Sequence, residues 1–236
     1  MFKKYLRITF PLFIALFLVS SCVFAQETDM WEPDMLRFEE LDRNNEYPPE
    51  SILFTGSSSI RLWETLAEDM HPIPVIQRGF GGSRMPDVLK HADRYIGVHA
   101  FSAVVVFVAN DITGSPNDVD RTPVEVRDLF EDFIQKIRGY NASAPIFIMA
   151  ITPTNSRWHV WDASREANHL LASLADENEH VIFVPTEDLF LGEDGKPKAD
   201  LFVSDQLHLA PAGYTLWTKR LRSYLFPIMK PQYSID

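Results

Sequence analysis

Ile52-Leu53-Phe54-Thr55-Gly56-Ser57-Ser58-Ser59-Ile60-Arg61-Leu62-Trp63 is the stretch from which the fold can be read. A short apolar run of the buried-strand kind stops at Gly56. Three hydroxyls follow, and apolar residues then recur at helical spacing as far as Leu66. A strand that turns through Gly-Ser-Ser into a helix sets a hydroxyl on a tight bend. Ligands of open α/β sheets bind at that place, the carboxyl end of a strand. Negative charge is favoured there as well, because the first N–H groups of a helix lack internal partners. The same serines would serve as simple helix caps, so the residues downstream have to decide between the two uses.

Working outward, strand and helix signals alternate. A strand is expected over 72–77, entered through prolines, and a glycine-rich loop over 78–84. A helix over 85–96 carries Pro86 in its first turn, where the missing N–H does no harm. The run 101–108 is continuous, apolar and β-branched, as a central parallel strand covered on both faces should be. After a polar loop over 110–121, an amphipathic helix spans 123–140 with Val126, Phe130, Phe133 and Ile137 on one side. Strands over 145–150 and 181–184 flank a helix over 161–179, and a last helix covers 211–225. Upstream, one helix is expected around 31–44, and the helix after Ser58 is expected to run to about Met70. The alternation implies an α/β fold: a mostly parallel five-stranded sheet between two helical layers, a three-layer α/β/α sandwich.

Composition agrees with one packed domain: 236 residues, 46% hydrophobic and 12% aromatic. The organisation expected is a signal peptide over 1–25, a polar lead segment over 26–50 and the main domain over 51–228. Lys3, Lys4 and Arg7 precede an apolar run over 8–19, the pattern of an export signal. Two processing sites compete. Val23-Phe24-Ala25 resembles an ordinary cleavage site, whereas Val19-Ser20-Ser21-Cys22 resembles a bacterial lipobox with Cys22 lipidated. The expected location is thus periplasmic, on the outer membrane as a lipoprotein, or extracellular. Cys22 is the chain's single cysteine, so a mature form has no disulfide, thiolate nucleophile or thiolate metal site beyond that position. The whole chain has 22 basic and 33 acidic residues, and the leader holds three of the basic ones. A surface that acidic argues against nucleic acid as a partner and against anionic membrane, apart from an anchor at Cys22.

Four loops carry residue types suited to chemistry: Gly56-Ser57-Ser58, Gly81-Gly82, Asn110-Asp111 and Asp205-Gln206-Leu207-His208. In a parallel sheet such loops gather along one edge. A carboxylate three residues before a histidine can hold the imidazole Nδ1–H and leave Nε2 free as a base. A serine beside that Nε2 would lose its proton on attack. A glycine N–H and an asparagine amide are suitable donors for a developing oxyanion. Taken singly, each loop is explained as well by a cap or a turn.

Together the four loops resemble, in order, the four sequence blocks of the SGNH hydrolase superfamily, the GDSL-type lipases and acylhydrolases. Leu53 to Trp63 is similar to the Gly-Asp-Ser block, Gly82 to the glycine of the second and Asn110 to the asparagine of the third. Asp205-Gln206-Leu207-His208 is similar to the Asp-x-x-His block, and Ala212-Gly213-Tyr214 continues it in the usual style. The resemblance covers residues 51 to 225. It implies a flavodoxin-like α/β/α fold and ester hydrolysis through an acyl-enzyme, without cofactor or metal. It also implies Ser58 as nucleophile, His208 as base and Asp205 as its orienter. The oxyanion hole would comprise the Ser58 N–H, the Gly82 N–H and Asn110. Ser57 and Ser59 remain alternative nucleophiles. Ser57 stands where the family usually has Asp, and Ala109 stands where a glycine often precedes the asparagine.

Other signals are weaker. The glycines at 79, 81 and 82 do not form a dinucleotide fingerprint, and no histidine pair has zinc-protease spacing. Arg84, Trp158 and Trp161 are candidate substrate contacts, with an ion pair and plain packing as the competing readings. The expected partner is a small-molecule or carbohydrate ester, the expected activity removal of a short acyl group such as acetyl. Lysophospholipase or lipase action, and carbohydrate binding without turnover, are the competing functions. Oligomeric state cannot be read from the chain.

Overall fold

The computed structural model describes residues 29–229. The signal-peptide reading, both processing sites and Cys22 lie outside the described residues. Residues 31–229 form one compact unit. Its centre is a five-stranded, wholly parallel sheet in the order β2-β1-β3-β4-β5. The strands are β1 (Ile52–Gly56), β2 (Val75–Gly79), β3 (Ala103–Phe107), β4 (Ile146–Met149) and β5 (Val181–Val184).

Alternation along the strands produces two cores, because successive side chains leave a strand on opposite faces. Leu53, Val104, Val106, Ile146 and Ile148 face one layer, made of α1 (Glu32–Asn44), α4 (Met85–Tyr95), α5 (Pro123–Tyr140) and α6 (Trp161–Glu177). Ile52, Phe54, Val105, Phe107 and Phe147 face the other, which holds α2 (Ser58–Arg61), α3 (Leu66–Met70) and α8 (Pro211–Met229). A further short helix, α7 (Glu187–Phe190), follows β5. The three-layer α/β/α sandwich expected from the alternation is the fold observed.

Local sequence sets the helix starts. Thr122 caps α5 by accepting the Glu125 N–H at 3.2 Å, while the Glu125 carboxylate accepts the Thr122 N–H at 2.7 Å, and Pro123 follows. The first turn of α4 is held similarly, the Asp87 carboxylate accepting the Arg84 N–H at 2.9 Å.

Two expectations need correction. The helix expected from Ser58 to Met70 is broken into α2 and α3, with Leu62 to Thr65 outside both. The Gln77 side-chain amide donates to the carbonyls of Ile60 (2.6 Å) and Trp63 (3.0 Å), which therefore have a partner other than a helical N–H. The second strand begins at Val75, three residues later than expected from the apolar pattern, and ends at Gly79, two residues later. That tail includes Arg78, whose side chain is 1% exposed, pairs with Asp42 of α1 and lies 5.0 Å from the Tyr47 ring centroid. Arg94 of α4 reaches Glu32 and Glu39 of α1, both at 2.6 Å. Helix α1 thereby packs beside β2, an edge strand of the sheet.

The chain runs from β1 outward to β2 and then returns to β3 on the other side of β1. The crevice beyond the carboxyl ends of β1 and β3 is the switch point where ligands of such sheets bind. Gly56 makes the bend possible. Its φ is +125°, and a Cβ there would stand 1.9 Å from the Phe107 carbonyl oxygen. Gly56→Ala should destabilise the fold by about 3 kcal/mol or more, through overlap and backbone strain together. Urea unfolding of wild type and variant measures the difference.

Candidate active site

Two segments deliver a line of side chains to that crevice. Ser58 is the first residue of α2. His208 lies just before α8, and its Nε2 is 2.9 Å from the Ser58 Oγ. The His208 Nδ1 is 2.6 Å from Asp205 Oδ2. Asp205 Oδ1 accepts the backbone N–H groups of Leu207 and His208, each at 2.9 Å. Gln206 makes this fold-back possible by adopting a left-handed φ of 54°. It is held there by Ser156 N–H on its carbonyl (3.1 Å) and Asn155 Nδ2 on its side-chain oxygen (2.9 Å). Of the three adjacent serines, only Ser58 meets the imidazole. Ser57 donates its N–H to the Phe107 carbonyl at 3.0 Å, and Ser59 accepts the Tyr214 hydroxyl at 2.9 Å. The structure thus brings Ser58, His208 and Asp205 together from the alternatives open in the sequence.

Burial works to raise the Asp205 carboxyl, but the bonds from the His208 ring and the two backbone N–H groups outweigh it and bring it to about 2. The group is therefore a carboxylate across the ordinary range and keeps its acceptor role toward Nδ1. Because the folded value lies below the ordinary 3.8, its contribution to stability is present above that value and is lost as pH falls through about 2. Asp205→Asn should accordingly lose less stability than wild type between pH 4.5 and roughly pH 2, as read by urea midpoints across that window.

Residues that carry donors border the same opening. The Ser58 N–H opens a helix and so has no partner within it. Gly82, at φ +79°, turns its loop beside α2. Asn110 donates one amide hydrogen to the Ser83 carbonyl at 2.9 Å, which leaves its second hydrogen available. Gly82, Asn110, Ser58 and His208 all line one open cleft of about 380 Å³. Ser58, Asn110 and His208 also line a narrower cavity of about 30 Å³, walled by Ala109, Ile151 and Trp161.

Sequence reading missed Arg157. Its Nη1 donates to the Ala109 carbonyl at 2.8 Å and its Nη2 to Asn110 Oδ1 at 2.7 Å. Burial holds the guanidinium below its ordinary value, and Asp120 opposes that effect. Nothing in the spacing of Asn155-Ser156-Arg157 singles this residue out, since it follows β4 and meets β3 only after folding. Its bonds fix which end of the Asn110 amide faces Ser83, and a cation on the amide oxygen makes the N–H a stronger donor.

The remaining candidates divide. Arg84 turns away, donating to the Val119 carbonyl at 3.0 Å and pairing with Asp118 at 3.3 Å, both in the loop that follows Asn110. Its place is in that loop and not in the cleft. Trp161 walls the narrow cavity. Trp158 stacks on it, with centroids 6.1 Å apart and planes 14° from parallel, and Lys196 Nζ sits 4.6 Å from its centroid. Asp111 accepts the Met85 N–H at 2.9 Å and so tethers the start of α4 to this loop.

The structure thus sets a serine, an imidazole and a carboxylate in hydrogen-bonded line at the switch point of a parallel sheet. The chain belongs to the GDSL-like Lipase/Acylhydrolase family, whose model matches residues 50–216. No curated protein matches it. Among solved structures it is similar to a Streptococcus pneumonia protein put forward as a platelet activating factor. That pair shares 24% identity over 82% of this chain and 92% of the other, at a TM-score of 0.70. A GDSL-like lipase of Bacteroides thetaiotaomicron is 16% identical over 82% of this chain and 98% of its own, at a TM-score of 0.68. An acetyl xylan esterase of Geobacillus stearothermophilus is 14% identical over 74% and 93%, at 0.57. At these identities the likeness is one of fold.

Were the Asn110 amide to serve an oxyanion, Arg157→Met should lower kcat by about 10-fold to 100-fold while changing KM little, because it would loosen a donor that matters most when the oxyanion forms. Arg157→Lys should recover part of the loss. Steady-state kinetics on p-nitrophenyl acetate reads both.

Proposed function

We propose that this protein is a serine esterase that removes a short acyl group, acetyl above all, from a carbohydrate or other small ester. The observation that carries the proposal is the 2.9 Å approach of His208 Nε2 to the Ser58 hydroxyl, with Asp205 behind the ring. In this reading Ser58 Oγ attacks the acyl carbonyl and its proton passes to His208 Nε2. The carbonyl oxygen becomes an oxyanion opposite the Ser58 N–H, the Gly82 N–H and the Asn110 amide. His208 then gives the proton to the departing alkoxide, and the acyl group stays on Ser58. Water, deprotonated by His208, attacks that ester, the acid leaves and Ser58 is regenerated.

The small acyl group is argued from the narrow cavity. Its volume of about 30 Å³ has room for roughly two water-sized groups, enough for an acetyl but not for a long chain. The same limit weighs against a lipase reading. The distant acetyl xylan esterase neighbour agrees in chemistry. The basic-then-apolar leader supports export, with or without a lipid at Cys22.

Ser58→Ala should cut kcat/KM on p-nitrophenyl acetate by at least about a thousandfold. With the wild type, p-nitrophenyl octanoate should be slower than the acetate by at least about thirtyfold, the equivalent of roughly 2 kcal/mol of overpacking. Octanoate hydrolysed as fast as acetate would sink the short-acyl reading, and turnover unchanged in Ser58→Ala would sink the mechanism.

A further inference from the structure

The two sides of the Ser58–His208 pair differ in size, and Arg61 borders only one of them. On the closed side the walls are mainly apolar or hydroxylic, with Arg157 reaching that cavity as well as the cleft. On the open side the cleft of about 380 Å³ is bordered by Arg61, Arg157, Gly81, Gly82 and Asp34. Arg61 lies three residues beyond Ser58 on α2 and is exposed. Its guanidinium lies over the Gly81 backbone, with Nε and Nη2 at 3.0 and 3.1 Å from where a Gly81 Cβ would be. That places its charge beside the loop that supplies Gly82.

Among the described residues the Arg61 side chain has no hydrogen-bond or ion-pair partner. Arg157 uses two of its five N–H groups on Ala109 and Asn110 and pairs with no carboxylate there. The carboxylate of Asp34 in the same cleft is already answered by Arg37 at 3.1 Å. In a chain with 33 acidic and 22 basic residues, Arg61 stands in the cleft without an ion-pair partner among the described residues, while Asp120 and Asp118 act on Arg157 from the neighbouring loop. An exposed cation beside the hydroxyl attracts anionic ligands, and guanidinium forks match carboxylate and phosphate oxygens.

Resting on the esterase reading above, we propose that the open cleft receives the alcohol portion of the ester. Arg61, with the free edge of Arg157, selects alcohols that carry an anionic oxygen group, a carboxylate or a phosphate. The acyl group then enters the closed side and the anion lies across the Gly81-Gly82 loop. Arg61 acts as a specificity residue for the leaving group and takes no proton.

The experiment compares kcat/KM for three acetyl esters: methyl O-acetyl-galactopyranoside, the O-acetylated methyl glycoside of galacturonic acid with its carboxylate free, and an O-acetyl hexose phosphate. The wild type should prefer at least one anionic ester over the neutral one by about tenfold or more, near 1.4 kcal/mol. The preference should shrink toward unity in Arg61→Gln and weaken as sodium chloride is raised. Which anionic ester leads distinguishes the carboxylate source from the phosphate source. Equal rates on all three, or a preference untouched by Arg61→Gln, overturn the subsite and leave the esterase intact. Calorimetric titration of Ser58→Ala with the methyl glycoside of galacturonic acid (carboxylate free), hexose phosphate and methyl galactoside provides a readout independent of turnover. There, binding of an anionic probe that is lost in Ser58→Ala/Arg61→Gln supports the subsite, and binding of no anionic probe counts against it. Hydrolysis of none of the esters by the wild type counts against the esterase reading itself, whatever the titration shows.

Discussion

One residue without a side chain ties the crevice together. The Gly56 carbonyl accepts the Phe80 N–H at 3.0 Å and the Ser83 hydroxyl at 3.3 Å. The next residue, Ser57, donates its N–H to the Phe107 carbonyl at 3.0 Å. The turn after β1 is therefore bonded both to the loop after β2 and to the end of β3. Asn110 closes the ring by donating to the Ser83 carbonyl at 2.9 Å. Three of the four loops that hold candidate site residues share this small network, within which a displacement of one displaces the others. Only the segment over 205–208 arrives separately. It is joined through the Ser58–His208 contact and through Tyr214, whose hydroxyl reaches the Ser59 carbonyl at 2.9 Å.

That arrangement also explains the placing of a buried cation. An amide side chain has two nearly equivalent orientations, and only the one with its nitrogen toward Ser83 keeps an N–H free for the oxyanion of the proposed reaction. Ser83 accepts from one end of Asn110, and Arg157 donates to the other. The guanidinium thus excludes the flipped amide, in which two donors would face each other. Desolvating Arg157 has a cost, which its hydrogen bonds to two carbonyl-type oxygens partly offset. Asp120, which opposes the effect of burial on Arg157, is itself held by the Thr113 and Gly114 N–H groups at 2.8 and 2.7 Å. Charge in the loop after Asn110 therefore supports the guanidinium without occupying the cleft.

The parallel sheet and the gathering of the four loops were legible because they rest on local signals. Apolar runs such as Val104 to Val108, glycine at a bend and Pro after a capping Thr all act over a few residues. The choice of Ser58 over its neighbours was less legible, since it depends on the phase of a four-residue helix relative to His208. The break between α2 and α3 was invisible because its cause, Gln77, lies in another strand. Arg78 and Arg157 escaped for the same reason. A charged residue reads as surface until folding presents Asp42 or Asn110 to it. Arg84 shows the converse, a cation next to a site loop in sequence whose partners face elsewhere.

On the proposed reading the two sides of the site would confer selectivity by different physics. A cavity of about 30 Å³ would reject a larger acyl group by overlap, which close-packed walls such as Trp161, stacked on Trp158, cannot relieve cheaply. An open cleft of about 380 Å³ cannot reject by size, so any preference there has to come from complementary charge. Steric exclusion is indifferent to ionic strength, whereas attraction at an exposed guanidinium is screened within about 8 Å at physiological salt. Salt therefore separates the two: selectivity that survives it belongs to the closed side of Ser58, and selectivity that fades belongs to the side where Arg61 lies.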